Sequence, residues 1–316
     1  MRIRPLAALS TVALATILLA GCSGGSGGES PAPSDSAAGD LCAAAAPSGA
    51  ASEAVTVDGE VGTASTAVFD FPLEITELQS TEVAKGEGDP VEAGDFVQYA
   101  LTAFNAETGE QVGSLGYTAG EILPMQISAD SPLGQIFGCA APGSRFAAAF
   151  PGTDEAPGQV YVVDFQSIVP TAAWGEEQEP VEGMPTVELA KDGDPTITLP
   201  DGDAPTEVQL APLKVGDGPV VASGDTVLVQ YTGVKWSDGT VFDSSWESGS
   251  PASFQTTGVV PGFQQALEGA TVGSQVLVVI PPAAGYGEGE INDSDLVGET
   301  LVFVIDILAT QHAAAQ

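Results

Sequence analysis

The alternation of apolar and polar positions is clearest in the last third of the chain. Residues 226–234 alternate with a period of two, which is typical of a half-buried strand, and an Asp238-Gly239 turn signal follows. The β-branched and aromatic residues after that turn predict the second strand of a hairpin. If Tyr231 points inward, it lies across the sheet from Phe242 and Asp243. Asp243 is then either a solvated acid near the turn or a polar group in an apolar pocket; we expect the pocket.

The segment that follows predicts one short helix against an antiparallel sheet. Phe263, Ala266 and Leu267 recur at i, i+3 and i+4, with Pro261 before them and Gly269 after them. Apolar runs further along predict two strands, at residues 275–280 and 300–308, joined by a long loop at residues 281–299. One helix packed on an antiparallel sheet is an α+β architecture.

The chain contains an internal repeat. Glycines recur at a constant offset of 130 residues, in the pairs Gly86 and Gly216, Gly94 and Gly224, Gly109 and Gly239, and Gly143 and Gly273. A constant offset over so many positions indicates two copies of one domain, which we assign to residues 55–170 and 205–311. The last strands match at an offset of 142, so the first copy lacks a 12-residue loop segment. Residues 171–204 are rich in Pro, Gly, Asp and Glu and predict a linker, with a strand near residues 196–199.

The N-terminus predicts export. Arg2 and Arg4 precede an apolar run that is too short for a membrane span, and residues 1–21 therefore read as a signal peptide. The ending Leu19-Ala20-Gly21-Cys22 resembles a bacterial lipobox, which implies cleavage before Cys22 and a lipid on its thiol. An ordinary signal peptide with an incidental cysteine is the alternative. Residues 22–54 are small and polar and predict a flexible tether to the outer face of the cell membrane.

The remaining cysteines and the charge limit the chemistry. With Cys22 lipidated, Cys42 and Cys139 have one possible pairing, so we predict a disulfide, with two free thiols as the alternative. The chain has 43 acidic and 7 basic residues, which argues against nucleic acid as a partner. Its single histidine, His312, excludes Ser-His-Asp, Cys-His and multi-histidine metal sites. We therefore expect neither a metal nor a cofactor.

Residues 208–308 resemble the FKBP-type peptidyl-prolyl isomerases. The matching motifs, in family order, are Tyr231-Thr232-Gly233, Gly239 with Phe242-Asp243-Ser244-Ser245, Val259-Val260-Pro261-Gly262-Phe263, Gly285-Tyr286-Gly287 and Thr300-Leu301-Val302-Phe303. The resemblance implies a half-open antiparallel sheet wrapped around one short helix in each copy. It implies rotation about Xaa-Pro bonds as the reaction and macrolides as possible inhibitors. Together with the predicted export signal, it leads us to expect exported polypeptides as substrates.

The resemblance also implies roles for the matched residues. Phe263 forms the floor of the substrate pocket. Its walls are Tyr231, Phe242, Val259, Val260 and Phe303. The backbone N–H of Val260 and the hydroxyl of Tyr286 hold substrate carbonyls, and Asp243, held by Tyr231, lies beside the twisting imide.

The first copy lacks this site, because Leu101, Val112 and Gly113 replace Tyr231, Phe242 and Asp243. We therefore expect catalysis by the second copy alone, in a lipoprotein that assists the folding of exported proteins. One departure in the second copy is Ala252, at a position where many family members carry a pocket aromatic. A polypeptide-binding module or chaperone without turnover is the main alternative, and a purely structural surface protein is a third.

Overall fold

The computed structural model describes residues 39–292 and 296–314, which belong to one compact unit. The predicted signal peptide, the lipidated Cys22 and the first part of the predicted tether lie outside the described residues. Within the described ranges, no helix is long and apolar enough to cross a membrane. The structure therefore bears on the two predicted copies and on the segments that flank them.

The described chain is mostly strand, with short helices between. Residues 39–170 contain α1 (Leu41–Ala44), α2 (Ala50–Glu53), β1 (Thr56–Asp58), β2 (Thr66–Val68), β3 (Gln79–Ala84), β4 (Phe96–Asn105), β5 (Gln111–Leu115), β6 (Met125–Gln126), α3 (Pro132–Phe137), β7 (Arg145–Phe150) and β8 (Gln159–Val169). The rest contains β9 (Glu176–Glu177), β10 (Thr186–Leu189), β11 (Pro195–Thr198), β12 (Gln209–Val215), β13 (Thr226–Lys235), β14 (Val241–Ser244), β15 (Ala252–Gln255), α4 (Pro261–Leu267), β16 (Gln275–Ile280) and β17 (Leu301–Gln311). One 3₁₀ turn, Thr256–Gly258, precedes α4, and a second, Pro282–Ala284, follows β16.

The strands form two large antiparallel sheets with the same strand order. The first sheet runs β3-β7-β8-β4-β5, with β6 paired to β4. The second runs β12-β16-β17-β13-β14, with β15 paired to β13 and β9 added beyond β12. Each sheet packs against one short helix, α3 or α4. The predicted α+β fold is confirmed, while the exact domain boundaries stay predictions.

The hairpins of the two sheets share their register as well. Thr102 pairs with Ser114 in the first sheet, and Thr232 pairs with Ser244 in the second, 130 residues later. In both hairpins a β-bulge follows the next residue pair, which is Ala103 with Gly113 in the first sheet and Gly233 with Asp243 in the second. This shared register aligns Leu101, Val112 and Gly113 with Tyr231, Phe242 and Asp243 in space as well as in sequence.

The two sheets differ most in the connection between their last two strands. Residues 151–158 join β7 to β8, whereas residues 281–300 join β16 to β17 and are longer by 12 residues. This is the difference that the change of sequence offset predicts. The longer connection carries Tyr286, and Ala284 and Leu296 within it pack against the core of the second sheet.

Helix α4 lies in the concave face of the second sheet. Its buried side chains are those of Phe263, Ala266 and Leu267, the residues that set the predicted helical period. A Cβ on Gly262 would lie 2.4 Å from Cγ2 of Ile280, so the glycine lets the first turn of the helix approach β16 closely. Burial of this apolar face stabilises the helix, which at seven residues is too short to persist alone.

The prediction of a flexible tether is wrong for residues 39–54. They form α1 and α2, in which Leu41, Ala51 and Ser52 are buried against the first sheet. The side-chain carbonyl of Gln79 in β3 accepts hydrogen bonds from the backbone N–H groups of Ala51 and Ser52, at 2.9 and 3.3 Å. Small residues predict a tether because they bury little area, but here they allow close approach and backbone hydrogen bonding.

The prediction of a linker at residues 171–204 is also wrong in its main part. Strands β10 and β11 form a hairpin over the outer face of the second sheet, where Val187 and Ile197 pack with Met184 against buried valines such as Val302. The predicted strand near residues 196–199 overlaps β11.

The hairpin of β1 and β2 covers the outer face of the first sheet in the same way, with Val57 and Ala67 packed into its apolar cluster. Both sheets are therefore buried on two faces.

A disulfide joins Cys42 in α1 to Cys139, which follows α3. It closes a loop with a sequence separation of 97 residues. A cross-link over so long a loop lowers the entropy of the unfolded chain, which stabilises the folded first sheet. The bond fixes the N-terminal helices to the helix of the first sheet.

The end of the second sheet contacts the first. The backbone N–H of His312 donates to the carbonyl of Gly120 at 2.7 Å, and the ring Nδ1 of His312 lies 2.8 Å from the buried carboxylate of Asp225. Leu308 and Ala309 are buried nearby, packed with apolar residues of the first sheet such as Val169. The single histidine thus joins the two sheets.

Candidate active site

Three strands, one helix and the segment before that helix bring the predicted site residues together. Strand β13 supplies Tyr231, β14 supplies Phe242 and Asp243, α4 supplies Phe263, and β17 supplies Phe303. Val259 and Val260 precede α4 and are half-buried against the same apolar cluster. Apart from Asp243, these residues belong to one apolar cluster, and Asp243 is joined to it by its hydrogen bond from Tyr231.

The aromatic rings pack mostly edge to face. The ring centroids of Phe263 and Phe303 are 5.1 Å apart at an interplanar angle of 89°, and those of Phe242 and Phe303 are 5.4 Å apart at 83°. Tyr231 lies 6.1 Å from Phe263, also edge to face. This is the arrangement that aromatic quadrupoles favour. The rings form a rigid apolar wall with few rotatable bonds.

Gly233 makes this packing possible. It pairs with Phe303 on one side and with Asp243 on the other, in the centre of the site. A Cβ at this position would lie 2.6 Å from Cε1 of Phe303 and 2.8 Å from Cζ of Phe242. Any larger residue would therefore push the two rings apart.

The Tyr231 hydroxyl donates a hydrogen bond of 2.7 Å to Oδ2 of Asp243. Tyr231 is buried, and burial raises its pKa well above the usual value, with further increases from its bond to Asp243, the charge of Asp243 and nearby Tyr286. Tyr231 therefore stays protonated and remains a donor at any physiological pH. The carboxylate of Asp243 stays fixed in one orientation as a result.

Asp243 is more exposed than the sequence predicted. The residue is exposed and its carboxylate accepts from the buried Tyr231, so it lies at the rim of the aromatic cluster rather than inside it. Burial of an unpaired carboxylate would be costly, and the rim lets one oxygen keep contact with water while the other binds Tyr231. The structure thus places Asp243 at the edge of the apolar pocket that we expected to enclose it.

Val260 and Tyr286 each present an unused donor. Val260 caps α4 with its carbonyl, which accepts from the N–H of Gln264 at 3.0 Å. No described residue accepts a hydrogen bond from the Val260 N–H, nor from the Tyr286 hydroxyl, within the part of the chain that the structure covers. Tyr286 is 52% exposed on the long loop after β16. Both donors are thus free to bind carbonyls of a ligand.

Phe254 belongs to the site and was missed by sequence reasoning. It lies in β15, with its ring centroid 5.7 Å from that of Tyr231 and 5.9 Å from that of Phe263. Ala252, two residues earlier, faces the same side and contacts the same cluster. The alternation of Ala252 and Phe254 was the available signal, but both residues closely follow Gly249, Ser250 and Pro251, which are typical of a turn.

The first sheet has no equivalent site. Leu101, Val112 and Gly113 occupy the positions of Tyr231, Phe242 and Asp243, so the hydroxyl–carboxylate pair is absent there. Tyr161 takes the position of Phe303 and packs on Phe150 instead. The first sheet therefore lacks the tyrosine–aspartate pair of the second, although Tyr99 and Tyr161 pack against its apolar cluster.

Comparisons with known proteins match the second sheet to a family. Residues 218–308 match the model for "FKBP-type peptidyl-prolyl cis-trans isomerase". The chain is 39% identical over 115 residues to a probable FK506-binding protein of Corynebacterium glutamicum, covering 36% of this chain and 97% of that protein. It is 37% identical over 118 residues to an FK506-binding protein of Streptomyces anulatus, covering 36% and 95%.

Further matches are partial. A 22 kDa FKBP-type isomerase of Escherichia coli is 43% identical over 101 residues, which cover 32% of this chain and 48% of that protein. The crystal structure of FkpA from Escherichia coli aligns at 28% identity with a TM-score of 0.31, over 42% of this chain and 53% of that one.

The matched region therefore defines an enzyme that interconverts the cis and trans forms of peptide bonds before proline. The chain belongs to the FKBP-type peptidyl-prolyl cis-trans isomerases.

Proposed function

We propose that residues 205–311 form the catalytic unit and that Xaa-Pro segments of exported polypeptides are its substrates. The observation that carries this proposal is the Tyr231–Asp243 hydrogen bond at the rim of the aromatic cluster. This bond fixes the Asp243 carboxylate beside the apolar surface that the aromatic rings form. The Val260 N–H and the Tyr286 hydroxyl add two donors that no described residue uses. The first sheet lacks the hydroxyl–carboxylate pair.

The proposed mechanism follows from the origin of the rotational barrier. Amide resonance gives the peptide bond a barrier of about 18–20 kcal/mol, and the two forms before proline are close in energy. The planar amide is more polar than the twisted one, so water favours the planar state. The rings of Phe242, Phe263 and Phe303 replace that water around the imide and lower the relative cost of the twisted state.

The polar groups hold the substrate while it turns. The Val260 N–H and the Tyr286 hydroxyl bind carbonyls on either side of the imide, which fixes the flanking chain. Asp243 lies beside the imide and interacts with the charge that changes as resonance is lost. The reaction breaks no covalent bond, so this arrangement needs neither a nucleophile nor a proton shuttle.

Tyr286→Phe tests the proposed role of the hydroxyl. We expect kcat/KM for a short Xaa-Pro peptide to fall about three- to tenfold, the effect of one neutral hydrogen bond. The measurement is the rate of cis-to-trans relaxation with the full chain. Tyr161→Phe is the matched control, because it also removes one tyrosine hydroxyl but does so in the first sheet, and we expect it to leave the rate unchanged. Equal rates for Tyr286→Phe and the wild type would rule out the role.

We also propose that the protein acts outside the cytoplasm, anchored to the outer face of the cell membrane by a lipid on Cys22. The basic start, the apolar run and the lipobox-like sequence support this location. A disulfide between Cys42 and Cys139 fits an oxidising compartment.

The names of two relatives state FK506 binding, and we propose that macrolides of this kind occupy the aromatic surface formed by Phe242, Phe263 and Phe303.

Cys22→Ala tests the anchor. We expect labelled fatty acid to be incorporated into the wild-type protein in its bacterial host and to be absent from the variant. Cys139→Ala serves as the control, since it also removes a cysteine but leaves the lipidation position intact. A wild-type protein without label would contradict the anchor and leave the enzymatic proposal untouched.

A further inference from the structure

Glu299 is a buried carboxylate that the proposed mechanism does not use. It is 3% exposed and lies at the end of the long loop between β16 and β17. Oε2 accepts a hydrogen bond of 2.7 Å from the Ser237 hydroxyl, and Oε1 accepts one of 3.1 Å from the Ser237 N–H. Among the described residues, no Lys, Arg or His forms an ion pair with it. Ser237 is therefore the only described residue that donates hydrogen bonds to this carboxylate. Burying a carboxylate with so few partners costs free energy of folding, which suggests that the residue serves another purpose.

The two partners join the two parts of the site. Ser237 lies in the turn between β13 and β14, the strands that carry Tyr231 and Asp243. Glu299 ends the loop that carries Tyr286. A backbone hydrogen bond of 2.9 Å from the Trp236 N–H to the carbonyl of Thr300 runs beside the pair. The loop is therefore tied at its end to the hairpin of the site.

A short path leads from Glu299 to Tyr286. The neighbouring Gly298 donates its N–H to the carbonyl of Gly287 at 2.8 Å, and Gly287 directly follows Tyr286. Gly298 has a φ of +79°, and a Cβ there would lie 2.4 Å from the carbonyl oxygen of Gly289. The start and the end of the loop are thus in direct backbone contact at these glycines. A displacement of Glu299 would therefore also displace Tyr286.

The first sheet provides an internal comparison. Its shorter loop, residues 151–158, has no tyrosine at the corresponding place. The positions that match Ser237 and Glu299 are Glu107 and Pro157, which cannot form this pair. The pair therefore occurs in the copy that has the long loop and is missing from the copy that lacks it.

We infer that Glu299 is a positioning residue: through Ser237 it clamps the long loop to the β13–β14 turn and so keeps Tyr286 near the Tyr231–Asp243 pair. Glu299 touches no substrate itself. The inference rests on the proposed role of Tyr286 in binding a substrate carbonyl. It assigns the buried charge to loop geometry rather than to the stability of the core.

A double-mutant cycle in the full chain tests the clamp. Ser237→Ala and Glu299→Gln each weaken the pair, and we expect each to lower kcat/KM about three- to tenfold, mainly through KM. In the Tyr286→Phe background, the same changes should cost less than twofold, because the group that they position is gone. Thr271→Val is the control: it removes a hydroxyl hydrogen bond of 2.7 Å to the Gly216 carbonyl, away from the loop, and should leave kcat/KM unchanged.

The outcomes separate the inference from the proposal beneath it. If Tyr286→Phe lowers kcat/KM and the clamp variants lower it further by the same factor in both backgrounds, the clamp is wrong and the role of Tyr286 stands. If Tyr286→Phe has no effect, both are wrong. Ser237→Ala keeps Glu299 and removes a single oxygen, so the cycle can be completed even if Glu299→Gln fails to fold.

Discussion

Asp243→Ala is expected to lower kcat/KM for Xaa-Pro isomerisation by about 10- to 100-fold while the second sheet stays folded. A hydrogen bond to a charged group contributes about 1.5–3 kcal/mol, and each 1.4 kcal/mol corresponds to a factor of ten. Asp243 is exposed at the rim, so its loss opens no cavity in the core. The effect should therefore appear in catalysis and not in the midpoint of thermal unfolding.

Asp238→Ala is the matched control for this change. Asp238 lies in the same hairpin, is exposed, and accepts hydrogen bonds only from Thr240 in the part of the chain that the structure describes. Both variants remove one negative charge from the same region. If they lowered kcat/KM equally, the effect would be one of net charge, and the assigned position of Asp243 beside the imide would be wrong.

Arg145→Ala is expected to destabilise the first sheet by about 3–5 kcal/mol, because it leaves a buried carboxylate without its partner. Arg145 is 2% exposed, and its Nε and Nη2 donate to the two oxygens of the fully buried Asp164 at 2.5 and 2.7 Å. It also donates to the carbonyls of Gly59, Glu60 and Thr63, which hold the covering hairpin. Loss of Arg145 removes all of these bonds at once.

The second sheet supplies the control for this prediction. Gln275 occupies the position of Arg145 there, and its Nε2 donates to Asp306 at 2.6 Å. Arg145→Gln should therefore destabilise the first sheet less than Arg145→Ala. Urea unfolding followed by hydrogen exchange separates the two sheets, and we expect the loss of protection in the first. Equal stability of the alanine variant and the wild type would show that Asp164 finds another partner.

The centre of the site could be predicted because local signals fix it. The Asp-Gly turn and the alternation in β13 set the register of the hairpin, and this register places Tyr231 beside Asp243. The spacing of Phe263, Ala266 and Leu267 sets the face of α4 in the same local way. These features depend on neighbours in sequence, which pattern reasoning can read.

The coverings of the sheets could not be predicted from composition. The segments that form α2, β10 and β11 are rich in small, polar or turn-forming residues, and such composition is also typical of tethers and linkers. Their order comes from contacts with strands far along the chain, such as Gln79 with Ala51. The pairing of Arg145 with Asp164 was missed for the same reason, although Arg145 is the only arginine after residue 4.

The most direct test of the central claim is the isomerisation rate of the full chain carrying Asp243→Ala and Tyr286→Phe together, beside a chain carrying Tyr161→Ala in the first sheet. Exchange spectroscopy on a short Xaa-Pro peptide measures cis–trans interconversion without a coupling protease. We expect the double variant to fall close to the uncatalysed rate and the Tyr161→Ala chain to keep the wild-type rate. A double variant that keeps the wild-type rate, with both sheets folded, would contradict an active site in the second sheet.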